Sequence, residues 1–480
     1  MNKSILFRQT KIIATIGPAS DDVSILARMI ENGMNVARLN LSHGSFDEHK
    51  QRIERIREAS RLAERRVAIM IDTRGIEIRT GLLKSSYVDL NRGMNFSLWT
   101  DERAGDETGV SISYAKLPKE VSVDDVILLD DGAIELRVVE TMEKEISCRV
   151  IHGGILGASK GVNLPDTVLS MTAAGPENRS DLIREIEFAA ANDVDYIAAS
   201  FVQSAEDICR MREILADLDM DTPIIAKIEN RTGVDNMEEI IEAADGMMVA
   251  RGDLGVELPF GEVPGTQKKM IRNTVMAGTP VITATQMLAS MQNNPRPTRA
   301  EASDVANAIL DGSSAIMLSG ETAAGKYPVE AIKTMHSLAL SAESNLEEFG
   351  YLQTIPYHST NVVAEAIGSA ATTMAKDLKA TAIISLSDSG FTSRLIAKHR
   401  PSCPILSVSG TEKVARRLSM NWGVEAVSYK GEPGDRAKID FATTCLLELG
   451  FAKPGDSVIL TAGHNQTSGG TDMLRILKLY

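Results

Sequence analysis

The sequence has few cysteines and few aromatic residues. Disulfide-bonded proteins depend on the first, and proteins that bind single-stranded nucleic acid depend on the second. Only four cysteines, Cys148, Cys209, Cys403 and Cys445, are scattered along 480 residues. Their spacing excludes a paired zinc site and a disulfide framework. Aromatic residues make up only 4% of the chain, so stacking platforms for single-stranded nucleic acid are not expected. The scattered cysteines favour a reducing, cytoplasmic setting.

Basic residues are also relatively few. The chain has 51 basic and 65 acidic residues, which gives a net charge of -14. Such a balance argues against general binding to nucleic acid or to an anionic membrane. No apolar run approaches the length that crosses a bilayer, and residues 1–10 lack the apolar core of a signal peptide. We therefore expect a soluble protein that holds any anionic ligand with a local basic cluster or with metal ions.

Strands and helices alternate in two stretches, residues 1–73 and 169–346. Each stretch repeats short apolar strands and amphipathic helices, which is typical of a parallel sheet with crossover helices. Together they hold eight strand and helix pairs and about 250 residues, as in a (β/α)8 TIM barrel. We predict that this barrel is the catalytic domain.

Two further units complete the predicted architecture. Residues 74–168 contain β-branched runs and turn signals without a long helix, which predicts an inserted small β-barrel domain that acts as a lid. Residues 347–480 contain strands separated by helices, which predicts a C-terminal open α/β regulatory domain.

Residues 223–230 (PIIAKIEN) suggest where the chemistry lies. Lys227 and Glu229 are two apart in a predicted strand and therefore share one face. An ion pair that caps the strand would explain them, but similar polar residues follow other predicted strands. Since barrel active sites lie at the carboxyl ends of the strands, these side chains should converge on one mouth. The candidates are Arg38, Asn40, Ser42, Asp72, Thr73, Lys227, Glu229, Arg251, Asp253, Thr283, Thr285, Ser319 and Glu321.

The residue types at these strand ends favour phosphoryl transfer. Glu229 and Asp253 offer hard oxygens for a small divalent cation such as Mg2+. Lys227, Arg38 and Arg79 add positive charge, and catalysis of phosphoryl transfer is mostly positioning and charge neutralisation. A second set of oxygens has no matching cation in the sequence pattern and could hold a monovalent ion. Its members are Asn40, Ser42, Asp72 and Thr73.

Other phosphate and hydrolase chemistries lack their signatures. No glycine-rich Walker sequence occurs, which excludes a P-loop enzyme. The chain has seven histidines and only His43 is near the predicted mouth, so a hydrolase triad lacks its base.

Five motifs in the predicted barrel closely resemble the pyruvate kinase family, and the resemblance covers all three units in order. They are residues 10–20 (TKIIATIGPAS), 34–44 (MNVARLNLSHG), 225–230 (IAKIEN), 251–257 (RGDLGVE) and 318–322 (LSGET). The resemblance implies transfer of the phosphoryl group of phosphoenolpyruvate to ADP, giving pyruvate and ATP in glycolysis. It also implies a homotetramer.

The resemblance assigns roles to individual residues. Lys227 would stabilise the transferring phosphoryl group, which Arg38 would also contact. Glu229 and Asp253 would hold Mg2+ or Mn2+. The amides of Gly252 and Asp253 and the hydroxyl of Thr285 would bind the substrate carboxylate, and Thr285 lies where the enolate is protonated.

The remaining implied roles concern K+ and the nucleotide. Asn40, Ser42, Asp72 and Thr73 would ligate K+. Arg79 and Lys160 would reach the nucleotide phosphates, with Lys160 on the lid, and His43 would either touch the nucleotide or be structural.

Two positions depart from the family motif Asp-Thr-Lys-Gly-Pro-Glu, because Arg74 and Ile76 replace its lysine and proline. Glu77 is retained, and a glutamate there accompanies K+ dependence in the family. We therefore expect activity that depends on K+.

Residues 387–392 (SDSGFT) resemble the effector-phosphate loop of regulated family members. Backbone N–H groups at a helix N-terminus suit an anion, and the binding residues would be Ser387, Ser389, Gly390 and Thr392. An ordinary serine-rich helix cap is the alternative. Because Asp388 adds negative charge, we expect activation by a monophosphorylated metabolite, a sugar phosphate or a nucleoside monophosphate, rather than a sugar bisphosphate.

Two other functions are compatible with the same residues. A metal-dependent lyase or aldolase would stabilise a pyruvate enolate without needing a nucleotide. An inactive metabolite sensor would retain the scaffold but not the turnover.

Overall fold

The computed structural model describes residues 7–350, 361–432, 434–463 and 470–480. Its first segment alternates strands and helices as predicted. Helix N-termini are capped by side chains: Asp22 accepts from the backbone N–H groups of Ser24 and Ile25, and Ser45 forms a capping box with Glu48. The elements are β1 (Lys11–Thr15), α1 (Val23–Glu31), β2 (Val36–Asn40), α2 (Phe46–Leu62) and β3 (Ala68–Asp72).

An all-β unit follows β3, as the sequence predicts. Strands β4 and β10 form a two-stranded sheet, and the other six strands form a mixed sheet in the order β11-β7-β8-β9-β5-β6. Its core is separate from the barrel core and includes Phe96, Leu98 and Leu136. The elements are β4 (Val88–Leu90), β5 (Asn95–Trp99), β6 (Gly109–Ser111), α3 (Leu117–Glu120), β7 (Val126–Leu129), β8 (Ile134–Thr141), β9 (Glu145–His152), β10 (Gly154–Leu156) and β11 (Val162–Asn163).

The alternation then resumes. Two short helices meet at Asn236, and a seven-residue helix follows β14 directly. The elements are α4 (Arg179–Ala191), β12 (Tyr196–Ala199), α5 (Ala205–Asp217), β13 (Ile224–Ile228), α6 (Arg231–Asp235), α7 (Met237–Ala243), β14 (Gly246–Ala250), α8 (Arg251–Glu257), α9 (Val263–Ala277), β15 (Val281–Ala284), a 3-10 turn (Ala289–Gln292), α10 (Arg299–Leu310), β16 (Ala315–Leu318), α11 (Gly320–Ala323), α12 (Pro328–Glu343) and α13 (Leu346–Phe349).

Eight of these strands close into one barrel in the order β1-β16-β15-β14-β13-β12-β3-β2, and every pairing in it is parallel. The barrel interior is filled by buried apolar side chains such as Ile13, Met70, Ile225 and Met248. The predicted (β/α)8 fold is therefore confirmed, and all eight carboxyl ends lie at one mouth.

The last segment is an open α/β sheet, as predicted, with the order β19-β18-β17-β20-β21. The edge strand β21 pairs antiparallel with β20 and was not predicted. The elements are α14 (Val362–Asp377), β17 (Ile383–Leu386), α15 (Phe391–Lys398), β18 (Ile405–Ser409), α16 (Glu412–Arg417), a 3-10 turn (Leu418–Met420), β19 (Val424–Ser428), α17 (Asp435–Glu448), β20 (Ser457–Ala462) and β21 (Met473–Lys478). Within the described ranges, no helix is long and apolar enough to span a membrane.

Candidate active site

A network of opposite charges lies at the carboxyl ends of β2, β3 and β13. The Nε of Arg38 donates to Oδ2 of Asp72 at 2.6 Å, and the Nζ of Lys227 donates to Oδ1 of Asp72 at 2.8 Å. Asp72 is fully buried. Burial would raise the pKa of Asp72, but Arg38 and Lys227 outweigh it and hold the pKa below its usual range.

This network corrects one expectation from the sequence. Asp72 was expected to lack a matching cation, and it has two. Its partners are 34 and 155 residues away in the chain, so only closure of the barrel brings them together. Both carboxylate oxygens of Asp72 are consequently engaged in ion pairs.

The ammonium group of Lys227 has three oxygen partners within 3.0 Å. It lies 2.8 Å from Asp72 Oδ1, 2.7 Å from the Ser200 hydroxyl and 3.0 Å from Glu229 Oε1. Burial would lower the pKa of Lys227, but the two carboxylates outweigh it and raise the pKa. The group is therefore a fixed positive charge at the mouth.

Two carboxylates adjoin this lysine. Asp253, at the start of α8, lies close enough to Glu229 for their charges to interact, and burial together with the Glu229 charge raises the pKa of Asp253 to about 7. The backbone N–H of Phe201 donates to Glu229 Oε2 at 2.6 Å and orients that carboxylate. A divalent cation would relieve the repulsion between them, so the pair fits Mg2+ in charge and in donor type.

The two carboxylates would leave other coordination positions open. Nowhere in the described residues do three or more His, Cys, Asp or Glu side chains form a group that could hold a metal ion. Mg2+ commonly keeps several waters and is bound by one or two carboxylates plus substrate oxygens. The geometry therefore suits a metal that is completed by a phosphorylated ligand.

Beside Asp253, the loop after β15 presents Thr285. The backbone N–H of Gly252 donates to the Thr285 hydroxyl oxygen at 2.7 Å. Thr285 and Gln286 have φ values of 66° and 55°, a left-handed conformation that is uncommon outside glycine and often marks functional sites. Arg251 holds this loop, because it donates to the Thr285 carbonyl at 2.8 Å and pairs with Asp304 at 2.7 Å.

Two of the predicted strand-end candidates have structural partners instead. The hydroxyl of Thr283 is fully buried and hydrogen-bonds to Ser313 at 2.6 Å. The carboxylate of Glu321 accepts from the backbone N–H groups of Leu288 and Ser319. Glu321 therefore fixes loops around the mouth, whereas Thr283 bonds to the segment that precedes β16.

The residues predicted to bind K+ lie on two adjacent strand ends. Asn40 is opposite Asp72 in the β2–β3 register. The side-chain oxygen of Asn40 accepts from the Ser42 backbone N–H at 3.1 Å, and the Thr73 hydroxyl accepts from the Ser200 backbone N–H at 3.1 Å. The structure thus brings this oxygen-rich set together at one side of the mouth.

A cleft of about 360 Å³ separates the barrel mouth from the inserted unit, and Arg79, Lys160 and Asp253 all line it. Arg79 donates to Glu77 at 2.7 Å, and Lys160 lies 2.9 Å from Asp130. His43 is exposed and lies outside this lining. The cleft therefore places two of the three predicted nucleotide residues in the same lining as Asp253.

The loop predicted to bind an effector precedes α15. Gly390 has a φ of 76°, and Ser387 is buried. The Thr392 hydroxyl hydrogen-bonds to the Thr471 hydroxyl, and Asp388 lies 3.3 Å from Lys438.

The sequence analysis missed two sets of residues that shape the site. Ser200 ends a predicted strand as the other candidates do, so the same strand-end rule could have found it. Asn163 of the inserted unit donates to Glu257 of α8 at 2.8 Å across 94 residues of chain. No local pattern signals a contact over that distance.

A closed (β/α)8 barrel with a buried lysine, adjacent carboxylates and a cleft whose lining includes Arg79 and Lys160 defines a phosphotransferase of the barrel class. Family models described as "Pyruvate kinase, barrel domain" and "Pyruvate kinase, alpha/beta domain" match residues 7–332 and 365–477. The chain belongs to the pyruvate kinase family.

Individual relatives agree with this assignment. A pyruvate kinase of Geobacillus stearothermophilus is 46% identical over 473 residues, which cover 98% of this chain and 80% of the relative. A pyruvate kinase of Staphylococcus aureus (strain MRSA252) is 45% identical over 472 residues, again 98% of this chain and 80% of the relative.

Proposed function

We propose that this protein transfers the phosphoryl group of phosphoenolpyruvate to ADP and forms pyruvate and ATP. The observation that carries the proposal is the buried Lys227 ammonium, which lies within 3.0 Å of Asp72, Ser200 and Glu229 beside the lidded cleft. A fixed cation in a pocket with little water suits the charge of a transferring phosphoryl group.

The side chains at the mouth would divide the work on phosphoenolpyruvate. Lys227 and Arg38 neutralise the phosphoryl oxygens, while the amides of Gly252 and Asp253 and the Thr285 hydroxyl hold the carboxylate. A terminal ADP oxygen attacks phosphorus, and the bond from phosphorus to the enol oxygen breaks. The enolate then takes a proton at its methylene carbon, on the side of Thr285 and through water.

Arg79 and Lys160 would hold the ADP phosphates from the lid side of the cleft. Their present partners, Glu77 and Asp130, are exposed enough to water that exchange for phosphate costs little. Closure of the inserted unit over the mouth would exclude water from the transfer.

Glu229 and Asp253 would hold Mg2+ or Mn2+, and Asn40, Ser42, Asp72 and Thr73 would hold K+. When bound, these cations supply positive charge that neutralises the substrate phosphates. Glu77, retained from the family motif, supports K+ dependence.

Regulation and assembly extend the proposal. We infer a lid at residues 74–168, a regulatory domain at residues 347–480, a cytoplasmic homotetramer, and an effector loop of Ser387, Ser389, Gly390 and Thr392. The negative charge of Asp388 favours a monophosphorylated activator. Titration of the activity with a sugar monophosphate, a nucleoside monophosphate and a sugar bisphosphate tests this, and stronger activation by the bisphosphate would refute it.

The main test measures pyruvate formation from phosphoenolpyruvate with and without ADP, in Mg2+ buffer that contains either K+ or Na+. We expect turnover that requires ADP and is much faster in K+. Pyruvate release without ADP would favour a lyase or phosphatase instead. No turnover under any condition would favour an inactive sensor.

A further inference from the structure

Ser200 is the one neutral partner of the Lys227 ammonium among the described residues. It follows strand β12 and is 3% exposed. Its hydroxyl oxygen lies 2.7 Å from Lys227 Nζ, while the other two partners of that ammonium, Asp72 and Glu229, are carboxylates. Ser200 therefore occupies a position that neither the resemblance nor the family comparison assigns.

The direction of these hydrogen bonds is fixed by the neighbours. The Ser200 hydroxyl lies 2.7 Å from the Thr73 carbonyl oxygen and 3.1 Å from Asp72 Oδ1, and both of these only accept. An ammonium only donates. The single hydroxyl proton must therefore point towards Thr73 or Asp72, which leaves the oxygen lone pairs facing Lys227.

The backbone around Ser200 strengthens this arrangement. The Ser200 N–H donates to the Thr73 hydroxyl at 3.1 Å, and the next N–H, of Phe201, donates to Glu229 at 2.6 Å. One short segment thus contacts Lys227, the Glu229 carboxylate and the Thr73 strand end. Gly75 is tightly packed here, because a Cβ at that position would lie 2.5 Å from the Ser200 Cβ.

We propose that Ser200 is a positioning residue that holds the Lys227 ammonium towards the phosphoryl group and links it to the Thr73 side of the mouth. This inference rests on the proposed function. Without the hydroxyl, one ammonium donor and the Thr73 carbonyl both lose a partner in a buried site, so Lys227 can rotate away from the reacting phosphorus.

Three variants test the proposal. Ser200→Ala removes the hydroxyl, and Ser200→Cys keeps nearly the same volume but offers only a weakly hydrogen-bonding thiol. Ser313→Ala is the matched control, since Ser313 is also a buried barrel hydroxyl but pairs with Thr283. Each variant is assayed for kcat, for KM of phosphoenolpyruvate and ADP, and for the K+ concentration that gives half-maximal activity, with melting curves to check folding.

We expect kcat to fall about 10- to 100-fold in both Ser200 variants, because small misplacements of a reacting group cost rates of that order. The two KM values should change little, and the half-maximal K+ concentration should rise severalfold. Wild-type kcat in Ser200→Cys would show that only shape matters and would overturn the proposal. So would a loss of kcat without any change in K+ response. A wild-type enzyme without turnover would instead refute the proposed function.

Discussion

The two ends of the barrel both bury charge, but they arrange it differently. At the amino end, the Asp195 carboxylate accepts hydrogen bonds from Arg416 and from the Ile69 N–H, both at 2.8 Å. It also forms an ion pair with Arg57 at 3.3 Å. At the carboxyl end, burial and a second carboxylate, Glu229, raise the pKa of Asp253. A carboxylate with complementary partners is typical of structure, whereas adjacent like charges leave a position that a ligand must complete.

The amino end also joins the barrel to the C-terminal sheet. Arg66 pairs with Glu412, Lys11 donates to the Val424 carbonyl, and Arg416 crosses to Asp195. Arg66 and Arg416 reach carboxylates, and the Lys11 ammonium reaches a backbone carbonyl. The comparison therefore teaches that burial alone does not identify the site, and that adjacent like charges do.

The sharpest way to break this comparison is the same substitution at each end. Lys227→Met should lower kcat by about 1,000-fold or more, because it removes the charge that faces the transferring group. The fold should persist, since Asp72 retains Arg38. Steady-state kinetics and circular dichroism measure the two effects.

Lys11→Met is the matched control. Lys11 is also a buried strand lysine, but its ammonium donates to Val424 at the amino end. Its kcat should stay near that of the wild type while stability changes. Equal losses of kcat in the two variants would contradict the assignment of chemistry to the carboxyl end alone.

The contrast between the ends could be anticipated only in part from the sequence. The strand-end rule found Lys227, Glu229 and Asp253 because side chains that end parallel strands must meet at one mouth. It also proposed Thr283 and Glu321, which have structural partners, because a polar residue at a strand end looks the same whether it caps a loop or binds a ligand.

What the sequence could not supply was pairing over long chain separations. The Asp72 ion pairs and the Asn163–Glu257 contact depend on barrel closure and on how the inserted unit docks. The edge strand Met473–Lys478 was missed because its sequence (MLRILK) lacks an alternation of apolar and polar residues, in keeping with a strand that buries none of its residues.

The second prediction concerns the amino end. Asp195→Asn should leave Arg57 and Arg416 without their buried counter-charge and lower the free energy of unfolding by about 3 kcal/mol. The value of kcat should not change. Urea denaturation and kinetics check this, with Asp101→Asn as the control because its pair with Arg103 is exposed and should contribute little. A large loss of kcat in Asp195→Asn would mean that charges at the amino end of the barrel also contribute to catalysis.

The third prediction sharpens the role of the lid at the carboxyl end. Lys160→Ala should raise KM for ADP about tenfold, the value of one charge-assisted hydrogen bond. KM for phosphoenolpyruvate should change little. Lys84→Ala is the control, since Lys84 pairs with Asp106 in the same inserted unit but does not line the cleft. Equal effects of the two variants would argue against a specific nucleotide contact.

The smallest expected effect is on the pH dependence of stability, because the pKa values of the two buried lysines shift in opposite directions. Burial lowers the pKa of Lys11 from 10.5 to about 8, whereas the carboxylates around Lys227 raise the pKa of that lysine. Between pH 8 and 10.5 the folded state therefore binds fewer protons at Lys11 than the unfolded chain does, so this residue makes stability rise with pH. Relative to Lys11→Met, the wild-type melting temperature should increase from pH 8 to pH 10. If the melting temperatures of the two proteins changed equally with pH, Lys11 would have an ordinary pKa and its burial would carry no electrostatic cost.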